Sequence, residues 1–195
     1  MHSITRLIFA SLVLALLAGP AVAQPVGDPA GDFFPIYVGP PQGDLDVING
    51  GVLFTGNGFL FFATMNDAIG EHPKALNRYV WGVDRGHRGE ETRSFARLGL
   101  PNIIFDSVVV LRPGVDLIVR DLVTDLPTQL PMENVLVLGN NILVVVPLSV
   151  LPSRGFLPEE YSWNLWPRWD GIEMSDEQIS DFAPDDQNAA VIVVR

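Results

Sequence analysis

Three stretches of the chain place runs of Val, Leu, Ile and Phe on either side of a turn signal. In "GGVLFTGNGFLFFATM" (50–65) the signal is Asn57-Gly58, and in "IIFDSVVVLRPGVDLIVRDLV" (103–123) it is Pro113-Gly114, a pair suited to the centre of a type II turn. In "ENVLVLGNNILVVVPLSVLP" (133–152) it falls around Asn140 and Asn141. Each stretch predicts a β-hairpin. Further strands are predicted at 79–84, 161–166 and 189–194. No window shows sustained apolar spacing at three and four, and the 16 prolines interrupt most candidates for helix. Short helical turns are expected only at 148–151 and 176–179. The pattern predicts an all-β fold, an antiparallel, jelly-roll-like β-sandwich of about nine strands with one or two short helical turns.

Two segments, "SVVVL" and "ILVVV", are apolar on both strand faces. A covering loop such as 66–78, or a partner surface, would keep their outer residues from water.

The first 23 residues break the pattern. A short positive start, the apolar run 7–19 and the small residues Ala21-Val22-Ala23 make up a secretory signal peptide, which predicts one mature domain over 24–195. The expected location is therefore exported, either periplasmic or extracellular. No later stretch is long and apolar enough for a spanning helix. The chain has no cysteine, and its 12 basic against 23 acidic residues give a net charge of −11. That surface disfavours nucleic acid and attracts cations.

Four aspartates stand in the turn-rich segment "VGDPAGDFFPIYVGPPQGDLDV" (26–47). In Asp28-Pro29-Ala30-Gly31-Asp32 the glycine allows a tight fold around an ion. Asp44 and Asp46, two apart at a strand start, would point the same way while Leu45 and Val47 point inward. Calcium takes six to eight oxygens without a fixed spacing motif, so these four are candidate ligands. The alternative is that they are ordinary turn formers. The later run "SDFAPDDQN" holds Asp181, Asp185 and Asp186. If the termini adjoin, that run would complete the site, with Asp181 as its first ligand.

"DPAGDFFPIYVGPPQGDLDV" resembles the opening of DOMON-like β-sandwich domains. These occur at the C-termini of glucodextranases and are related in architecture to family-nine carbohydrate-binding modules. The resemblance lies in Asp28, Gly31, Asp32, Tyr37, Gly43, Asp44 and Leu45, with "VPLSVLP" further on. Phe33 stands where that group tends to carry a second acid. The resemblance implies a sandwich that often carries calcium and usually binds sugar as an accessory. "YVWGVDRG" and "YSWNLWPR" also resemble segments of a group of exported bacterial proteins.

"YSWNLWPRWDG" (161–171) holds three of the four tryptophans. On a strand, Tyr161, Trp163 and Leu165 would share one face, with Ser162, Asn164 and Trp166 on the other. Pro167 would end the strand and place Arg168 and Trp169 in an edge loop. Trp166, Trp169, Asn164 and Arg168 are the candidate carbohydrate contacts, since sugars offer C–H patches to aromatic faces and hydroxyls to planar polar groups. Burial as core anchors is the alternative for the tryptophans, and is expected for Trp81 and Trp163.

No HExxH and no GxSxG occurs, and thiol catalysis is excluded. Glu159, Glu160 and Asp170 are the nearest to a carboxylate pair and read as loop charges. The expectation is a non-catalytic, calcium-stabilised binding module, with carbohydrate as the ligand. The alternative is a structural or protein-interaction module.

Overall fold

The computed structural model describes residues 25–70, 77–171 and 175–194. The predicted leader lies outside them, as does 71–76 of the proposed covering loop. The strands are β1 (Val26–Gly27), β2 (Val47–Phe54), β3 (Gly58–Met65), β4 (Asn77–Asp84), β5 (Arg93–Phe95), β6 (Leu100–Phe105) and β7 (Ser107–Arg112). They continue with β8 (Asp116–Asp121), β9 (Leu126–Leu130), β10 (Val135–Leu138), β11 (Asn141–Pro147), β12 (Ser162–Trp169), β13 (Ala189–Ala190) and β14 (Ile192–Val193). All helical segments among the described residues are single 3-10 turns, including the expected ones at Leu148–Val150 and Asp176–Gln178.

All three hairpins form. β7 and β8 turn at Pro113-Gly114, where Val115 N–H donates to the Arg112 carbonyl, as a type II turn requires. The β2–β3 turn sits one residue earlier than the sequence suggests. Gly56 takes the positive φ of 82° at the first central position, and Gly58 already belongs to β3. β10 and β11 likewise turn at Gly139-Asn140, and Asn141 opens the strand. The strands among the described residues exceed nine because β1, β13 and β14 are two residues each, β5 and β9 carry too little apolar alternation to read as strands, and β6 reads as one run with β7.

The strands build two large sheets facing each other, an all-β sandwich. The first runs β1-β2-β3-β11-β10, the second β13-β12-β4-β7-β8-β9. Phe59, Phe61, Met65, Trp81, Trp163 and Val144 fill the space between them, each almost wholly buried. Both tryptophans expected in the core are there.

The outer faces of the two-faced apolar segments meet different neighbours. The outer residues of β7, Val108 and Val110, pack under the β5–β6 hairpin with Phe95, Ile103, Phe105 and Trp166. The outer residues of β11, Leu143 and Val145, pack beside Leu53, Leu60 and Ile192.

The first and last described strands both pair with β2. β1 pairs with β2 at Gly50 and Asn49, and β14 runs parallel to β2 at Leu53 and Phe54. This places the N-terminal arm against the segment that leads into β13. No helix among the described residues is long and apolar enough to cross a membrane.

Candidate metal centre

Beyond β1 the chain leaves the sheet with one tether, the Asp28 N–H on the Ile48 carbonyl. Gly31 then adopts φ +84°, which only glycine takes cheaply, and its N–H donates to Asp46 Oδ2 at 2.8 Å. Asp32 is thereby folded back toward Asp28. On the other side, the strap 179–184 runs along β12, with Leu165 and Ala183 exchanging backbone bonds. Asp181 is held in place by two N–H donors, Val47 to Oδ2 and Phe182 to Oδ1, both at 2.8 Å.

Asp28, Asp32, Asp181 and Asp185 meet here. One carboxylate oxygen from each lies within 4.8 Å of all the others. Oxygens on opposite sides of an ion bound at 2.3–2.6 Å stand about 4.6–5.2 Å apart, so this group could hold a metal ion of calcium's size. A donor set of carboxylates alone is hard, suiting calcium, magnesium or manganese rather than zinc or copper.

The electrostatics are strained without a cation. Burial, then Asp181, Asp185, Asp32 and Asp46, push the Asp28 carboxyl up to about 9. Burial, with Asp32 and Asp46 adding to it, pushes Asp181 up to about 8 against its two N–H donors. Asp185 is raised too, by partial burial and then by Asp32 and Asp186. Two oxygens here, Asp28 Oδ2 and Asp46 Oδ1, are buried with no hydrogen-bond partner. Buried polar atoms rarely remain so, and a cation would answer this negative potential.

Of the aspartates anticipated from sequence, Asp28, Asp32 and Asp181 converge, while Asp44 and Asp46 stand outside the group of four. A 3-10 turn at Gly43–Leu45 precedes β2, so strand alternation does not govern Asp44 and Asp46, and their carboxylates find different partners. Asp44 accepts Asn77 Nδ2 at 2.8 Å and the Gly70 N–H, pinning the chain after β3. Asp46 supports the clasp from behind, accepting Gly31 N–H and Asn66 Nδ2. Leu45 and Val47 do point inward, both fully buried. Asp185, named in the later run together with Asp181 and Asp186 but not put first, is the fourth member of the group. A signal for it existed, because "DPAGD" and "DFAPD" share the pattern Asp-x-Ala-x-Asp with a proline.

The residues anticipated for carbohydrate do not form an open surface. Trp166 is 2 % exposed, its ring centred 4.9 Å from Phe105 and 5.0 Å from Phe95. Asn164 is fully buried, with Nδ2 donating to the carbonyls of Pro184 and Gln187. Arg168 donates to the Ser175 carbonyl and Gln178 Oε1. Trp169 is half-buried at the end of β12, which runs through Pro167 instead of stopping there. Pro167 shares its edge with Leu165, whose N–H and carbonyl both face the strap, and its carbonyl accepts Ser180 N–H. Its nitrogen therefore points away from β4, and the ladder to β4 loses no bond.

No protein-family model and no curated protein matches this chain.

Proposed function

We propose that this protein is an exported, non-catalytic β-sandwich binding module whose N-terminal arm is fastened to the sandwich by calcium. The observation that carries the reading is the meeting of Asp28 and Asp32 with Asp181 and Asp185, from opposite ends of the chain. Calcium is preferred to magnesium because calcium accepts a set of several protein carboxylates in flexible geometry, whereas magnesium demands a near-ideal octahedron and keeps several waters. Several carboxylates elsewhere are tied into structure, among them Asp170 and Glu160 of the three nearest to a carboxylate pair, which favours binding over turnover. Asp170 pairs with Arg78, Asp116 with Arg112 and Asp84 with Arg88, and Glu160 caps the Leu157 N–H.

The test is thermal unfolding of residues 24–195 with excess calcium and then with chelator. An ion at 100 times its Kd stabilises the native state by about 2.7 kcal/mol, a rise of roughly 5–11 °C for a domain of this size. The rise should vanish in an Asp28→Ala, Asp32→Ala double variant. Equal midpoints with and without calcium would reduce "DPAGD" to a turn and remove the reading.

A further inference from the structure

The two sheets differ on their outer sides. The sheet β13-β12-β4-β7-β8-β9 lies there under the β5–β6 hairpin, and further along the same face β7 and β8 present the ion pair of Arg112 and Asp116. The sheet β1-β2-β3-β11-β10, with β14, has no such cover. The apolar side chains clustered on its outer side are Leu53, Leu60, Phe62, Leu143, Val145 and Ile192, and all of them belong to the sheet itself. Among the described residues, no apolar side chain from another element packs onto this cluster. The cross-strand pair Leu136–Leu143 puts the β10 leucines on the same side. Phe62, Leu136, Leu143 and Val145 are only half-buried, and Leu138 is 56% exposed.

A sheet face left to water alternates apolar with polar residues, and this one does not. None of the strands of the sheet contains a charged residue, and Thr64 and Asn141, hydrogen-bonded to each other at 2.8 Å, mark a polar rim at one end. Charge and area select the occupant. An uncharged face offers a charged partner nothing, and a chain of net charge −11 is repelled by acidic proteins and anionic membranes alike. A second copy presents the same neutral face, keeps its own carboxylates away from the contact, and is matched to the first by a two-fold axis. Strands about 4.8 Å apart, rising about 3.4 Å per residue, make the face roughly 450 Å² across β2, β3, β11 and the shorter β10 and β14. Two copies then bury about 900 Å², which belongs with weak, reversible interfaces of less than about 1,200 Å².

We propose that the protein forms a reversible two-fold dimer by packing this outer face, with Phe62, Leu143 and Val145 at its middle, against the same face of a second copy. The dimer does not depend on the calcium reading, since the four aspartates take no part in the contact.

The experiment is sedimentation equilibrium of residues 24–195 from about 1 μM to about 1 mM. The expected result is an average mass that rises with concentration and levels at twice the monomer. Added salt should tighten the dimer, because it screens the repulsion between two acidic copies and leaves the apolar contact intact. Leu143→Arg should raise the Kd about a hundredfold or more by burying an unpaired charge. Leu138→Arg, at a position already exposed, keeps the fold and should raise it about tenfold. Leu126→Arg, 64% exposed on β9 of the other sheet, should leave the dimer unchanged. A protein that stays monomeric throughout overturns the proposal, and binding of that monomer to neutral phosphatidylcholine vesicles would assign the face to lipid. Assembly beyond two copies, a dimer that salt weakens, or one lost in Leu126→Arg but kept in Leu138→Arg also overturns it.

Discussion

Trp166 is a large apolar body enclosed by Phe95, Phe105 and Phe182, all within 6.3 Å between ring centres. Removing such a ring costs its transfer energy plus the cavity left behind. Trp166→Ala is expected to lose about 3–5 kcal/mol in urea unfolding, a cost that no surface tryptophan would show. A loss near zero would return Trp166 to the surface. The sequence shows that Trp166 lies opposite Trp163 on β12, but alternation alone cannot say that a second apolar layer covers the far face. The aspartates show the same limit. Asp28 and Asp32 were legible because a glycine turn lies between them, and Asp181 because of its place before an apolar residue. Asp44 and Asp46 misled because spacing by two implies one face only inside a strand, and β2 begins at Val47.

At the scale of elements, the hairpins were legible because glycine, proline and asparagine mark their turns. The breaks between strands were not always so. "IIFDSVVVL" reads as one apolar run, yet Asp106 separates β6 from β7, fully buried and salt-bridged to Arg85 at 2.6 Å. Arg85, at the end of β4, also reaches Asp121 at 3.1 Å, and Arg154 reaches the same carboxylate at 2.7 Å. This network ties the ends of β4, β6 and β8 together. Replacing Arg85 by Met would leave the fully buried Asp106 without its cation while Asp121 kept Arg154, at an expected cost of about 3–5 kcal/mol in urea unfolding. The network also sets an acid limit. Burial pushes the Asp121 carboxyl up, but hydrogen bonds from Arg85 and Arg154 outweigh it and hold the carboxyl below the usual range. A carboxyl lowered on folding contributes its full stability above its unfolded value of about 4, and loses it as pH falls further. Between pH 4 and pH 2 the midpoint of the parent should therefore fall more steeply than that of Asp121→Asn, which starts lower at pH 7. Parallel curves would remove Asp121 from the acid response.

On the scale of the whole molecule, the first and last described strands, β1 and β14, both pair with β2 and are only two residues each. Such short ladders give little cooperative protection, whereas β3, β4, β7 and β11 lie inside their sheets. Four aspartates gather negative charge at that junction, and calcium bound there, as proposed, would crosslink a chain that has no cysteine. Stability should thus be uneven, and the ion should act on one part of it. In native-state hydrogen exchange, chelation is expected to raise uptake in 26–41 and 179–194 while β3, β4, β7 and β11 keep their protection. Restoring calcium should reverse the change in the parent but not in Asp181→Asn, which keeps the shape of the side chain and removes its charge. If chelation loosened every strand equally, the ion would stabilise the sandwich as a unit. If it loosened none, the four carboxylates would not be holding the ends together. Only a response confined to the two ends fits an ion that fastens the arm.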